Sequence, residues 1–337
     1  MSKLCHLSIS DHFLTEMWKL TFLLLSCVHA QNNTDEVDLW IADPDGPEHI
    51  RFTWNLTSNV FQQKSIPLET NDYFEVSRHY MCSYMLKNVI YLIGGADESA
   101  NKTEWDLFRR RNFKLQNHKI EQLPNLPFHM TSGQCVNYSG DSAIACNGGD
   151  DDEGLSRECY VTSNGVKYSP VGNLLGDHFR GSLTGYNSSA LMIGGINSTQ
   201  GTIEFLHKSK WTIVASDKRL SNLWDATPIT LNGSIYLFGG FKCEKYTKED
   251  PCTTNPSYNW GVLMIDAKTL KIKLHPQKLQ TERWFARSIL AGKLHHIVSV
   301  HFNLAFQTIK SYTSAATAMT TISRLSVGNR ETTATLQ

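Results

Sequence analysis

Short apolar segments that each end in a pair of glycines recur along the chain. They are NVIYLIGG at 88–95, SAIACNGG at 142–149, SALMIGG at 189–195 and SIYLFGG at 234–240. Their apolar residues stand at consecutive positions, which is typical of a strand that is covered on both faces. The pattern therefore predicts one buried β-strand for each glycine pair.

The glycine pairs are regularly spaced. Their first glycines lie at 94, 148, 194 and 239, so that the separations are 54, 46 and 45 residues. A period of this length indicates an array of similar units. A fifth copy, KLHHIVSV at 293–300, keeps the strand pattern without the glycines.

The glycines themselves have a predicted structural role at the strand ends. Glycine allows a positive φ and lets another backbone approach closely, which a β-carbon would prevent. We assign this role to the eight glycines of the pairs, namely Gly94, Gly95, Gly148, Gly149, Gly194, Gly195, Gly239 and Gly240.

A hairpin pattern follows each glycine pair. The segments are EWDLFRR with HKIEQLP, then ECYVTSNGVKYSP, TIEFLHKSKWTIV and NWGVLMIDAKTLKIKLHP. Their short apolar and polar runs predict a third and a fourth strand in each unit, and Asn164-Gly165 is a strong tight-turn signal. Each unit is therefore predicted to be a four-stranded sheet.

A hydrophobic strand, a Gly-Gly pair and an aromatic-containing hairpin every ~50 residues resemble the kelch repeat of β-propellers. The resemblance covers about residues 37–300, and it places Trp105 and Trp260 in third strands. The fourth-strand tryptophan of the family is present as Trp211 and is replaced in the other units by Tyr168, Ile120 and Ile272.

The two ends of the repeat region carry incomplete units. FTWNLTSNVFQQKSIPL at 52–68 fits third and fourth strands, and residues 286–300 fit first and second strands. If the N-terminal strands paired with the last repeat, the ring would close and lose its exposed edges. The resemblance thus implies an all-β, kelch-like β-propeller with five recognisable blades, or six if a degenerate blade lies in the tail.

The N-terminal segment predicts secretion. Lys19 precedes the apolar run LTFLLLSCV at 20–28 and the small residue Ala30, an order typical of a signal peptide. The run is too short for a membrane span, which needs about 20 apolar residues. We expect residues 1–30 to be removed, with a translation start at Met17 as an alternative to Met1.

The chain after the signal divides into a propeller at 31–300 and a tail at 301–337. The tail is rich in Thr, Ser and Ala and has few large apolar residues. This composition predicts a disordered segment that does not pack. An O-glycosylated stalk and an artefact of gene prediction both remain open as explanations of it.

Six cysteines follow the predicted signal, and an even number in a secreted chain predicts disulfide bonds. No CxxC pair occurs among them, which argues against a zinc site. The repeat alignment places two of them in the first strands of adjacent blades, two in neighbouring second and third strands, and two on either side of one loop. The predicted pairs are Cys82 with Cys135, Cys146 with Cys159, and Cys243 with Cys252.

Seven N-x-[ST] sequons agree with a secreted chain. Their asparagines, predicted to be glycosylated on exposed turns, are Asn32, Asn55, Asn101, Asn137, Asn187, Asn197 and Asn232.

Charge and motifs exclude several function classes. Lys plus Arg and Asp plus Glu both number 32, so no global positive field would attract nucleic acid. We interpret the basic cluster 109–111 as a solvated strand end rather than a heparin-like contact, and the acidic run 150–153 as a solvated turn rather than a calcium loop. His295 and His296 point to opposite faces of a strand and cannot easily share a metal.

No catalytic, cofactor-binding or metal-binding residue can be assigned, because the catalytic and nucleotide-binding sequence motifs are absent. The sequence therefore predicts a non-catalytic extracellular module that binds a protein or a glycan, without a cofactor or a membrane span. Loops on a rigid scaffold often carry recognition, so we assign it to the loops after the glycine pairs, especially the insert at 241–259. The alternative is a secreted propeller enzyme such as a copper-dependent oxidase.

The sequons give a first testable prediction. The secreted protein should migrate well above the 38.1 kDa calculated for the chain and should return toward that mass after amidase treatment, because each N-glycan adds a bulky polar group. Unchanged electrophoretic mobility after amidase treatment would contradict the extracellular assignment.

Overall fold

The computed structural model is rich in antiparallel sheets, with one short helix in the part of the chain that it describes. The described residues are 36–42, 48–55, 60–67, 81–87, 89–95, 102–116, 119–139, 141–146, 148–149, 155–196, 201–231, 233–242, 257–258, 261–278, 287–291, 296–300, 320–323 and 333–336.

The sheets follow one another along the chain. Sheet 1 contains β1 (Glu36–Ala42), β2 (Glu48–Asn55) and β3 (Val60–Pro67). Sheet 2 contains β4 (Cys82–Leu86), β5 (Val89–Ile93), β6 (Asn112–Gln116) and β7 (Lys119–Gln122), with helix α1 (Lys102–Arg109) between β5 and β6. Sheet 3 contains β8 (Gln134–Ser139), β9 (Ser142–Cys146), β10 (Cys159–Thr162) and β11 (Ser169–Val171).

The same order continues in the second half. Sheet 4 contains β12 (Ser182–Tyr186), β13 (Ser189–Ile193), β14 (Thr202–His207) and β15 (Lys210–Ser216). A small sheet joins β16 (Leu223–Trp224), β19 (Phe241–Lys242) and β20 (Ser257–Tyr258). Sheet 5 contains β17 (Thr227–Leu231), β18 (Ser234–Phe238), β21 (Gly261–Asp266) and β22 (Ile272–Lys278). Sheet 6 contains β23 (Arg287–Ala291), β24 (His296–Val300), β25 (Thr320–Ser323) and β26 (Thr333–Leu336).

The first strands of successive sheets lie against one another. β4 contacts β8, β8 contacts β12, β12 contacts β17, and β17 contacts β23. Within each of these sheets the strands pair in antiparallel order away from that first strand. The predicted all-β class is therefore correct, and the arrangement is consistent with a propeller-like fold.

The second strand of each repeat is buried on both faces, as its continuous apolar pattern predicts. In β13, Leu191 and Ile193 belong to a core cluster shared with sheet 5, whereas Ala190 and Met192 belong to a cluster shared with sheet 3. Successive side chains of a strand point to opposite faces. β13 thus contributes to two cores, and β9 does the same with Ala143 and Ala145 on one face and Ile144 and Cys146 on the other, so these strands join neighbouring sheets.

The glycine pairs make a repeated backbone contact. The first glycine donates its N–H to the start of its own third strand, from Gly94 to Arg111 O at 2.9 Å and from Gly194 to Thr202 O at 3.1 Å. The second glycine donates its N–H to the segment that leads into the next sheet. Those bonds are Gly95 to Met130 O at 2.9 Å and Gly195 to Leu223 O at 2.7 Å.

Seven of the eight glycines of the pairs have the positive φ that the sequence predicts; the exception is Gly148, where a β-carbon would still lie 2.5 Å from the carbonyl oxygen of Ser132. The φ values of Gly94 and Gly95 are +70° and +108°, and those of Gly194 and Gly195 are +64° and +103°. Such values favour a residue without a β-carbon. The conformation turns the chain out of the sheet and brings the two N–H groups toward their acceptors.

Two of the predicted disulfide bonds are present. Cys82 is bonded to Cys135 across the first strands β4 and β8, with Cα atoms 5.7 Å apart. Cys146 is bonded to Cys159 between the paired strands β9 and β10, with Cα atoms 4.1 Å apart. The third predicted pair, Cys243 with Cys252, lies outside the described residues.

The segment EWDLFRR corrects the predicted third strand of the first unit. Residues 102–109 form α1, and β6 begins only at Asn112, so Trp105 lies in a helix. The alternation of polar and apolar residues at 104–107 imitates a strand. In the structure Phe108 is buried, whereas Leu107 is 53% exposed. Acidic residues early in the segment and Arg109 in the last turn suit the helix dipole.

The fourth-strand positions agree better with the alignment. Trp211 lies in β15 and is buried, Ile120 lies in β7, and Ile272 lies in β22. Tyr168 directly precedes β11 rather than lying within it. Its hydroxyl is 2.5 Å from that of Tyr84 in sheet 2, so it links two sheets.

The predicted closure by the N-terminal strands is wrong for the described strands. β2 and β3 pair with β1 to form a sheet of their own. The last repeat, β23 with β24, is completed instead by β25 and β26 of the tail, through a pairing of Ser299 with Ser323. The tail thus supplies the missing strands, whereas its composition predicted that it would not pack. Thr-rich segments have high strand propensity even where large apolar groups are few.

Two glycine substitutions should distinguish the stability cost of steric overlap from the stability cost of a positive φ. A β-carbon at Gly94 would overlap the carbonyl oxygen and side chain of Met130, whereas one at Gly233 would meet nothing within 4 Å, and both residues have positive φ. We expect Gly233→Ala to lower the free energy of unfolding by about 1–2 kcal/mol through φ alone. Gly94→Ala should lower the free energy of unfolding by roughly 1–3 kcal/mol more than Gly233→Ala does, because its β-carbon would overlap Met130. Equal losses in chemical denaturation would contradict the close approach.

Candidate functional site: a polar cavity at the hairpin end

Sheets 2 to 5 each have two different ends. The second strand begins after a tight turn from the first strand, which we call the hairpin end, and it finishes at the glycine pair, which we call the glycine end. Each second strand runs from its hairpin turn to its glycine pair, so the hairpin end and the glycine end lie at opposite edges of the sheet. The chemistry at the two ends differs.

A buried ionic cluster occupies the glycine end of sheet 4. Both carboxylate oxygens of Glu204 accept backbone N–H groups, from Leu175 at 2.8 Å and from Gly176 at 2.7 Å. His178 Nε2 donates to Glu204 Oε1 at 2.9 Å, and its Nδ1 bonds the Gly194 carbonyl oxygen at 2.5 Å. Both ring nitrogens of His178 therefore face acceptor oxygens.

The surroundings of Glu204 keep it ionised. Burial raises the pKa of its carboxyl, but the hydrogen bond from His178 and the backbone N–H groups of Leu175 and Gly176 outweigh burial and hold the pKa below its usual value. Neither the Glu204 nor the His178 side chain is exposed to solvent. An enclosed pair with satisfied hydrogen bonds fixes the loop before β12 against the glycine pair and is not open to a substrate.

A second ion pair lies between sheets 4 and 5. Arg180 Nε donates to Asp225 Oδ1 at 3.1 Å, and its terminal nitrogen donates to Oδ2. The guanidinium lies 4.3 Å from the ring centroid of Trp224, and Asp225 N–H donates to the Arg180 carbonyl at 2.9 Å. Bidentate, stacked arginine pairs have high geometric specificity. This pair fixes the junction of two sheets.

The hairpin end instead carries a cavity of about 590 Å³. It is formed by the first strands β8, β12 and β17 with the turns that follow them. The lining residues that the structure describes are uncharged; they are Val136, Asn137, Tyr138, Ser139, Thr184, Gly185, Tyr186, Asn187, Thr230 and Gly233. The lining thus combines amide and hydroxyl groups with two tyrosines.

Hydrogen bonds between first strands hold the cavity wall. Thr184 Oγ1 lies 3.1 Å from Thr230 Oγ1, and the Thr230 hydroxyl donates to the Gly185 carbonyl at 3.0 Å. A β-carbon at Gly185 would lie 2.6 Å from the Asn137 carbonyl oxygen. The backbones of β8 and β12 can therefore approach only because residue 185 is glycine.

The predicted glycosylation sites are distributed over both described and undescribed parts of the chain. Asn137 and Asn187 line the cavity, and Asn55 ends β2. The other four sequon asparagines, Asn32, Asn101, Asn197 and Asn232, lie outside the described residues, as does the predicted signal at 1–30. Two sequons therefore meet at one cavity although they lie in different repeats.

The predicted recognition insert at 241–259 is described only at its ends. Phe241 and Lys242 form β19, which pairs with Ser257 and Tyr258 of β20. Residues 243–256 lie outside the described part, so their predicted role stays a prediction. The hairpin cavity was not predicted from the sequence. Its signal is a tyrosine adjacent to a sequon in successive hairpins, VNYSG and TGYNSS.

The basic cluster 109–111 is not a solvated strand end. It ends α1, and Arg109 is buried. Arg110 Nε donates to the Leu126 carbonyl at 3.0 Å, and the Arg111 guanidinium lies 4.0 Å from the ring centroid of Phe108. The three side chains take part in packing. The acidic run 150–153 and His295 lie outside the described residues.

Two further classes of site were sought among the described residues. No group of three or more His, Cys, Asp and Glu side chains there is arranged to hold a metal ion. Within the same ranges no helix has the length and apolar character required to cross a bilayer.

Comparison with known proteins supports the fold. No family model matches the chain, and no curated protein matches its sequence. Among solved structures, the chain is similar to one titled "Structure of YjhT", with a TM-score of 0.65 and 12% sequence identity. The match covers 93% of this chain and 98% of that one. At this identity the likeness concerns the fold alone.

The buried ionic cluster gives a prediction on stability. Glu204→Gln should lower the free energy of unfolding by about 2–3 kcal/mol, because the glutamine amide would turn a donor toward the buried donors that both carboxylate oxygens now accept. Glu121→Gln is a matched control, since Glu121 is half-exposed and pairs with Lys114 at 3.0 Å; we expect it to cost about 0–1 kcal/mol. Similar costs for the two variants, measured by denaturant unfolding, would contradict the role of the cluster.

The same cluster predicts a pH dependence. Because folding lowers the pKa of Glu204, its stabilising effect is fully present above the ordinary carboxyl pKa of about 4.3 and is lost as the pH falls through the lowered value. The stability gap between the parent protein and Glu204→Gln should therefore narrow as the pH falls from about 6 toward 3. A gap that stays constant over this range would contradict the lowered pKa.

Proposed function

We propose that the protein is a secreted, N-glycosylated, kelch-like β-propeller that binds a glycan or a glycosylated protein without catalysis. The single observation that carries the proposal is the uncharged, tyrosine-containing lining of the hairpin-end cavity. The two disulfide bonds and the absence of a membrane-spanning helix in the described part are consistent with an extracellular place of action.

The lining groups suit a neutral sugar. Asparagine amides and serine or threonine hydroxyls can both donate and accept hydrogen bonds, as sugar hydroxyls do. Tyrosine provides an apolar face beside a polar hydroxyl, which suits the apolar face and polar edge of a pyranose. A few placed polar groups beside aromatic rings are the usual composition of a small-ligand site.

The position of the cavity also favours recognition. Its walls are the first strands of three sheets, each paired with the second strand of its own sheet, and the turns that follow them form its rim. Binding residues are often placed on such loops above a rigid scaffold. The glycine end is less suited to recognition in sheet 4, because buried ion pairs and close backbone contacts fill it.

Tyrosine substitutions test the proposal. On an array of immobilised neutral glycans, the parent should bind a subset, and Tyr186→Ala should weaken binding about tenfold or more by removing the ring. Tyr186→Phe keeps the ring that packs against the sheet 4 and 5 core and should have a smaller effect. Val214→Ala is the control, since Val214 lies on the outer strand β15 and is 38% exposed.

Several outcomes would contradict the proposed binding. Equal glycan binding by the parent and Tyr186→Ala would exclude the hairpin-end cavity as the binding site. The insert at 241–259 would then be the favoured site, and its replacement by a short turn should abolish binding. Stoichiometric copper or iron in the purified protein would support the oxidase alternative instead.

A further inference from the structure

The side chain of Asn137 joins two sheets. Met85 N–H donates to Asn137 Oδ1 at 3.1 Å, and Asn137 Nδ2 donates to the Met85 carbonyl oxygen. Met85 lies in β4 of sheet 2, and Asn137 lies in β8 of sheet 3. The amide thus pairs with both backbone groups of one residue, as a neighbouring strand would.

This contact complements the disulfide bond between the same two strands. Cys82 and Cys135 join β4 and β8 near the ends at which those strands begin, and Met85 with Asn137 joins them farther toward the hairpin end. Both first strands are edge strands of their own sheets. The amide therefore satisfies edge groups of β4 that its own sheet leaves open.

The chemistry of N-glycosylation conflicts with this contact. To bond both the N–H and the C=O of Met85, the Asn137 amide must present its oxygen and the hydrogen that lies cis to that oxygen. Glycosylation replaces one hydrogen on Nδ2 and makes a secondary amide, which strongly prefers the trans form. In that form the sugar carbon occupies the position cis to the oxygen, and the remaining hydrogen points the opposite way.

We propose that Asn137 is a clasp between sheets 2 and 3 and that its sequon is unoccupied in the folded protein. A glycan on Asn137 would displace the bond to the Met85 carbonyl. It would also stand on the wall of the hairpin-end cavity, which Asn137 lines. An unmodified Asn137 keeps that wall open to a ligand.

Asn187 provides the contrast within the same cavity. It forms a two-residue turn with Ser188, and φ is +49° and +55° at the two residues, as in a type I′ hairpin. Asn187 is exposed, and its side chain makes no hydrogen bond to the residues that the structure describes. Its amide can therefore carry a glycan without loss of a hydrogen bond to those residues.

Site mapping tests the proposal, which rests on the proposed secretion. The full chain is produced in a secreting eukaryotic cell, and amidase, which converts each glycosylated asparagine to aspartate, precedes peptide mass spectrometry. We expect conversion at Asn187 and not at Asn137. Conversion of Asn137 in most of the folded protein would overturn the clasp. Absence of conversion at every sequon would contradict secretion, and the variants below would then still test the clasp.

Two variants remove the Asn137 sequon in different ways. Ser139→Ala keeps the amide, whereas Asn137→Asp sets a carboxylate oxygen against the Met85 carbonyl oxygen. We expect Ser139→Ala to match the parent in mobility and melting temperature, and Asn137→Asp to melt roughly 2–6 °C lower. A loss of one glycan in Ser139→Ala, or a melting temperature of Asn137→Asp equal to that of the parent, would overturn the proposal.

Discussion

The rest of the structure depends on one hydrogen bond. The second glycine of a pair donates its N–H to a carbonyl oxygen of the backbone that leads into the next sheet. Gly95 makes it to Met130 and Gly195 to Leu223. It requires a positive φ and a position without a β-carbon, since a β-carbon at Gly195 would meet the backbone of His178 at 2.8 Å. Through this contact sheet 2 fixes the entry of sheet 3 and sheet 4 fixes the entry of sheet 5. The second strand β13 is buried between two cores.

Because of this constraint, the glycine end of the sheets is filled by backbone contacts, whereas the hairpin end carries the cavity. At the glycine end, backbone contacts and the His178–Glu204 pair leave little room for sequence change. At the hairpin end, the Asn187-Ser188 turn is exposed. A binding site is therefore more easily placed at the hairpin end, where the uncharged cavity lies between three first strands.

Much of the fold could be predicted from the sequence, because the features concerned are local and periodic. The glycine pairs, the consecutive apolar residues before them and the pairing of Cys146 with Cys159 all follow from one repeat alignment. Helix α1 was missed because residues 104–107 alternate like a strand. The completion of sheet 6 by Thr320–Ser323 was missed because composition alone does not set strand pairing. The cavity and the His178–Glu204 pair could not be predicted, since they join residues of different strands whose approach only the fold determines.

Hydrogen exchange at single-residue resolution is the most direct test of this division. The amides of Gly95 and Gly195 should exchange as slowly as that of the buried strand residue Leu92, since exchange requires the sheets to separate. The amide of Ser188 in the exposed turn should exchange many times faster. Exchange of Gly95 and Gly195 at the rate of Ser188 would contradict the account, because the contact between successive sheets would then open without unfolding of the core.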